Sequence, residues 1–227
     1  MRLLPLRKRA RGRFGMVYRT TRRMAERKEA RRKKLLSAAI GIFGRKGYHA
    51  ATVPMIVRAA NSSVGSFYFY FRNKEDVFAA ALEALGEQIA GALNQAIPAA
   101  GPDVPAQMRA AVTALVQFLA ENPEEARILI LESSGLGKRL EAVRRQVIER
   151  HSRGVEQVLR ALADSLPPLD SAVVASCWVG AVYEAVYRWL ALAPAERPST
   201  EHLAAAIAEF NLRGIGAPIK ENERIRS

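Results

Sequence analysis

The stretch TVPMIVRAANSSVGSFYFYFRNKE, residues 52–75, decides how the chain is read. Thr52 is a helix N-cap followed by Pro54 in the first turn, and Val53, Ile56, Val57 and Ala60 form a one-faced apolar stripe. Asn61 and Ser62 leave room only for a tight turn, and asparagine tolerates the left-handed backbone that such a turn demands. Ser63 is the next cap, opening a short helix over 64–71, and Asn73 caps another with Glu75 and Asp76 in its first turn. Two short helices joined by a two-residue turn across 52–71 have the dimensions of a helix-turn-helix.

Outward from this stretch the periodicity stays helical. Leu35, Leu36, Ala39, Ile40, Ile42 and Phe43 recur at three- and four-residue steps, and Gly47 supplies the stop. Downstream, the spacing predicts helices over about 74–97, ending at Pro98, and over 106–121. Another starts at Asn122-Pro123, a long one covers 140–166, and two more cover 171–192 and 200–214. No segment alternates as a strand does. The expected fold is all-α with about nine helices: a basic, disordered arm over 1–28, a three-helix helix-turn-helix unit over 29–89, and a helical body over 90–227.

Charge is distributed unevenly. The 227 residues include 35 Lys+Arg and 22 Asp+Glu, a formal net charge of +13. Residues 1–34 hold 15 of the bases and only two acids, Glu26 and Glu29, so the whole excess lies there and the rest is neutral. A basic arm on a neutral body points to a polyanionic partner, with a merely solubilising tail as the plainer reading. Met16 and Met24, inside the arm, are further candidate starts.

Other classes find no support. One cysteine, Cys177, excludes an internal disulfide framework and multi-thiolate metal sites, and His49, His151 and His202 are spaced unlike zinc ligands. Nucleophile-elbow, phosphate-loop and dinucleotide signatures are lacking, so no enzyme, cofactor or metal is expected. No apolar run approaches the roughly 20 residues of a membrane span. Met1–Leu6 lacks a signal-type apolar core, which favours a cytoplasmic location.

The run Ala59–Glu75, with its lead-in Phe43, Lys46-Gly47-Tyr48, Thr52-Val53 and Ile56, resembles the recognition region of TetR-family transcriptional regulators over residues 29–89. That resemblance implies a homodimer that reads a near-palindromic operator in double-stranded DNA, and a small-molecule effector in the C-terminal body that releases it. By position it places phosphate contacts on Thr52, Tyr68 and Lys74, and base-proximal positions on Ser63, Val64, Gly65, Ser66 and Phe69. The chain departs from the family in having Asn61-Ser62 where Gly-Val is usual, and apolar Val64 and Phe69 where polar groups are common. Readout would then lean on thymine methyls and DNA shape. Tyr68 and Phe71 also suit plain core packing, the reading adopted for Phe71 and for His151. Small residues on the last two helices fit either a dimer interface or internal packing, and effector residues are not assigned. The competing function is a sequence-independent, nucleoid-type nucleic-acid binder dominated by the arm.

Overall fold

The computed structural model describes residues 13–216, with side-chain surroundings from Arg22 onward. Among the described residues there are nine α-helices and no strand: α1 (Arg13–Ala50), α2 (Val53–Ala59), α3 (Val64–Tyr70), α4 (Lys74–Ala99), α5 (Val104–Glu121), α6 (Pro123–Ala126), α7 (Lys138–Ala161), α8 (Ser171–Ala191) and α9 (Thr200–Gly214). One apolar core joins them. At its N-terminal end Leu35, Ala39 and Phe43 of α1 meet Ile56, Phe67, Val77 and Phe78, all essentially buried, with the rings of Phe43 and Phe78 edge-to-face at 4.9 Å. α4 then packs against both α5 and α7, α5 against α9, and α7 against α8.

The caps read from the sequence are in place. Thr52, Ser63 and Asn73 each accept a hydrogen bond from the backbone N–H three residues on. Asn61 takes φ 44, and Gly47, at φ 77 and ψ 165, breaks α1 just before the corner that leads into α2. A Cβ at Gly44 would fall within 2.6 Å of the Glu124 backbone, so α1 and α6 cross there because residue 44 has no side chain.

Several expectations need correction. The arm expected to be disordered through residue 28 is helical from Arg13, and its residues 1–12 lie outside the described region. After Gly15 the segment has no helix breaker, its Arg, Met, Ala, Glu and Lys are helix formers, and Arg22 pairs with Glu26 one turn on at 3.0 Å. The boundary drawn at 89 falls inside α4, which runs unbroken from one part of the chain into the other. Pro98 lies within the last turn of α4 instead of ending it. Asn122 does not cap the helix after it: its Nδ2 donates backwards to the Phe118 carbonyl at 2.7 Å. After α6 the chain adopts π-helical geometry over Arg127–Glu132. The helix expected over 140–166 stops at Ala161, where a short 3₁₀ turn takes over.

Candidate nucleic-acid interface

α3 is a seven-residue helix anchored by one side chain. Phe67 is fully buried and Phe71 seals the C-terminal end, while Val64, Tyr68 and Phe69 are 49%, 55% and 66% exposed. Three large side chains left in water on so short a helix form a surface without a partner inside the subunit. A Cβ added at Gly65 would meet no atom within 4 Å, so nothing within the described fold requires glycine there. Thr52 and Ser63 are exposed, and their oxygens accept from Met55 and Ser66 N–H at 3.4 and 3.1 Å, which leaves each hydroxyl proton free to donate outward. Ser66 is half-buried behind them.

Lys74 is placed differently from what its position alone implied. Its Nζ donates to the carbonyls of Tyr48, Ala51 and His49 at 2.8, 3.1 and 3.3 Å and lies 4.4 Å from the centre of the Tyr48 ring. All three ammonium protons are used in holding the corner between α1 and α2, so Lys74 enters the candidate interface as a positioning residue. Arg72 is likewise engaged with Asp76 at 2.8 Å, and Arg139 of α7 joins the same carboxylate at 2.5 Å. The hydrogen bond from Arg72, aided by Arg139, holds the Asp76 carboxyl down at about 2. Arg58 is then the cation of the 52–74 stretch without an ion pair among the described residues.

The helical arm supplies what the motif lacks. Lys28 Nζ stands 5.0 Å from the Phe69 ring, and Arg32, one turn on, 5.8 Å from that of Phe71. Every described residue from Arg22 to Arg31 is exposed. The basic face of α1 therefore runs beside the exposed face of α3. Lys28 was missed in the sequence, where the only signal was the four-residue spacing of Lys28 and Arg32.

Residues 35–81 match the model of the bacterial regulatory proteins of the tetR family. Over 157 residues the chain is 31% identical to the HTH-type transcriptional regulator YdgC of Bacillus subtilis (strain 168), covering 66% of this chain and 76% of YdgC. The chain belongs to the tetR family of transcriptional regulators. The fold agrees over its whole length. The fatty acid degradation regulator FadR from Bacillus halodurans superposes with a TM-score of 0.72 at 21% identity, covering 80% of this chain and 94% of that one. FadR from Bacillus subtilis, solved in complex with stearoyl-CoA, gives 0.72 at 20% identity over 81% and 98%.

In this tetR-family chain a second feature lies in the helical body. α7 and α8 border a cavity of about 650 Å³, walled by Ile130, Ile148, Val179 and Tyr183 and by several charged groups. Tyr183 and Tyr187 line it, whereas Trp178 is core and Trp189 donates from Nε1 to the Pro198 carbonyl at 2.9 Å. His151 sits behind Tyr183, its Nδ1 3.1 Å from the phenol oxygen. Burial, with the Arg150 charge, lowers the imidazole to about 4. As pH falls below 6.5 the unfolded chain takes up this proton first, so the stability gained from a neutral His151 is full above 6.5 and is lost between there and about 4. Urea unfolding at about pH 5 is expected to show about 2 kcal/mol less stability from this group than at about pH 7. His151→Gln should remove that part of the pH dependence. A variant whose stability falls with acid as steeply as the parent's would refute the assignment.

The π-helical turn links cavity and interface. Ile130 faces the cavity, and two residues on the Glu132 carboxylate accepts the Tyr48 N–H at 3.2 Å, at the corner that Lys74 secures. Arg127, at the start of the turn, donates to the Gly44 carbonyl at 3.0 Å and pairs with Glu132 at 3.7 Å.

Proposed function

We propose that this regulator is a cytoplasmic repressor that binds a near-palindromic operator as a homodimer and is released by a small-molecule effector. The observation that carries the reading is the exposed face of α3, where Val64, Tyr68 and Phe69 surround an open backbone at Gly65. A face of this kind fits a major groove, with apolar groups against thymine methyls and Tyr68 and Thr52 hydroxyls toward phosphates. In this reading Ser63 and Ser66 stand at the base edges and Lys74 holds the corner that carries Thr52.

Dimerisation is supported by where the other exposed apolar groups lie. Apart from Met24, the large hydrophobics left exposed among the described residues fall either on α2 and α3 or on the segment from α8 to α9, as Val173, Tyr187, Leu192 and Phe210. On α8 the exposed Val173, Cys177, Gly180, Glu184, Tyr187 and Ala191 alternate by four and three residues, the spacing of a helix seam. An effector site is supported by the cavity between α7 and α8, and by the stearoyl-CoA held by a protein of the same fold. Ligand binding would act as a population shift, passing through Glu132 to the Tyr48 corner.

The test is binding of the purified protein to the DNA upstream of its own gene at modest salt, in competition with unrelated duplex. A site preference of about 10³ or more over unrelated DNA is expected. Equal affinity for both would overturn the proposal in favour of an arm-dominated, sequence-independent binder. Removing residues 1–28, which carry eleven Lys/Arg, separates the two further. The truncated regulator should keep its preferred site while the slope of log affinity against log salt becomes shallower, because fewer counterions are released. Loss of the preference with the arm would refute the assignment of readout to α3.

A further inference from the structure

The cavity between α7 and α8 contains a cation with no counter-charge. Three carboxylates line it, and each has its own arginine one turn away: Glu149 pairs with Arg153 at 3.5 Å, Glu156 with Arg160 at 2.5 Å and Glu184 with Arg188 at 2.8 Å. Arg144 lines the same space and makes no ion pair among the described residues, even with Glu141 on the preceding turn. Its Nε is shut off from solvent and has no hydrogen-bond partner among those residues. A shielded guanidinium N–H without an acceptor is costly, and an anion with oxygen acceptors removes that cost. The neighbouring polar groups do not supply one. Tyr183 is held as the neutral phenol by burial, and His151 behind it is neutral at ordinary pH. When the Tyr183 hydroxyl donates to Nδ1, the His151 Nε2 carries a proton, and this atom too is buried without a partner. The walls beyond Arg144, formed by Ile130, Ile148 and Val179, are apolar.

We infer that the cavity takes a monocarboxylic acid with an apolar body, its carboxylate held by the Arg144 guanidinium and its tail lying along Ile130, Ile148 and Val179. One unmatched positive charge calls for one negative charge. A phosphate dianion would bring a surplus into a space already bordered by three carboxylates, whereas a carboxylate matches the planar fork of arginine. The cavity volume lies within the range of small-molecule sites. The inference deepens the ligand-responsive reading by naming the chemistry of the effector.

The experiment is thermal unfolding of the full chain with octanoate, against octanamide and octylamine as neutral and cationic counterparts of equal length. Octanoate is expected to raise the melting temperature saturably, by roughly 5–10 °C at about 100 times its dissociation constant. Octanamide should bind at least about tenfold more weakly, and octylamine not at all. Arg144→Gln should bring octanoate down to the level of octanamide without lowering the melting temperature of the free protein, and Arg144→Lys should fall between. Equal binding of acid and amide, undiminished octanoate binding by Arg144→Gln, or no saturable shift from butyrate through decanoate and benzoate would each overturn the assignment. A parallel DNA-binding assay separates this from the broader reading. A carboxylate that binds through Arg144 and leaves DNA affinity unchanged supports the site and refutes the ligand-responsive reading. Release from DNA by neutral or cationic compounds alone does the reverse.

Discussion

Replacing Gly65 with leucine is expected to lower affinity for the preferred DNA site by roughly 100-fold or more while leaving the free protein at least as stable as before. Both halves follow from one observation. A Cβ at residue 65 meets nothing within 4 Å, so the folded subunit has room for a side chain there. Glycine inside a helix is also poorer than leucine by about 0.5–1 kcal/mol, which should raise stability. The space that is free in the isolated subunit is the space a DNA backbone or base edge would occupy, and a mispositioned recognition helix forfeits several contacts at once. Fluorescence anisotropy on labelled duplex, beside a melting curve, checks both. An unaltered affinity would show that α3 does not approach DNA through its first turn.

The second large effect concerns Lys74, for which two roles make different predictions. If its ammonium holds the α1–α2 corner, Lys74→Met leaves the carbonyls of Tyr48, His49 and Ala51 without their donor and removes the cation from the Tyr48 ring. Charged hydrogen bonds of this kind contribute enough that a loss of about 2 kcal/mol is expected, read as a fall of roughly 4–8 °C in melting temperature. DNA affinity should fall too, because Thr52 follows the corner, but the salt slope should hardly change. If Lys74 instead served as a phosphate contact, the melting temperature would stay put and the slope would drop by about one. The measurement is the pair of curves, and an unchanged melting temperature would refute the positioning role.

What could be read from residues alone divides by the range of the interactions. The caps at Thr52, Ser63 and Asn73 and the turn at Asn61 are settled within three or four residues of themselves, so the helix-turn-helix could be placed to within a residue. The family motif stood out for the same reason. Lys74 was misjudged because its partners lie 23 to 26 residues back, and Lys28 was overlooked because it meets Phe69 only after two turns of chain bring α1 and α3 together. The arm looked disordered because arginine-rich composition and helical geometry leave the same trace when no apolar face is present. The π-helical turn had no signal at all: Arg-Ile-Leu-Ile-Leu-Glu serves an α-helix equally well. Arg144 could not be singled out among so many arginines, since what distinguishes it is the absence of a partner that the others have.

The π-helical turn over Arg127–Glu132 also bears on how this lineage can vary in length. A π turn accommodates one more residue than an α turn over a similar rise. Deleting a single residue there would let the segment relax to ordinary α geometry at little cost to packing. The phase of everything after the deletion would nevertheless change by about 100°, the angle per residue of an α-helix. Glu132 would then swing away from the Tyr48 amide, while Ile130 would turn away from the cavity. Helical phase, more than side-chain identity, is what connects the two ends of the molecule, so one-residue insertions and deletions in this turn are the changes that would produce folded proteins deaf to their ligand.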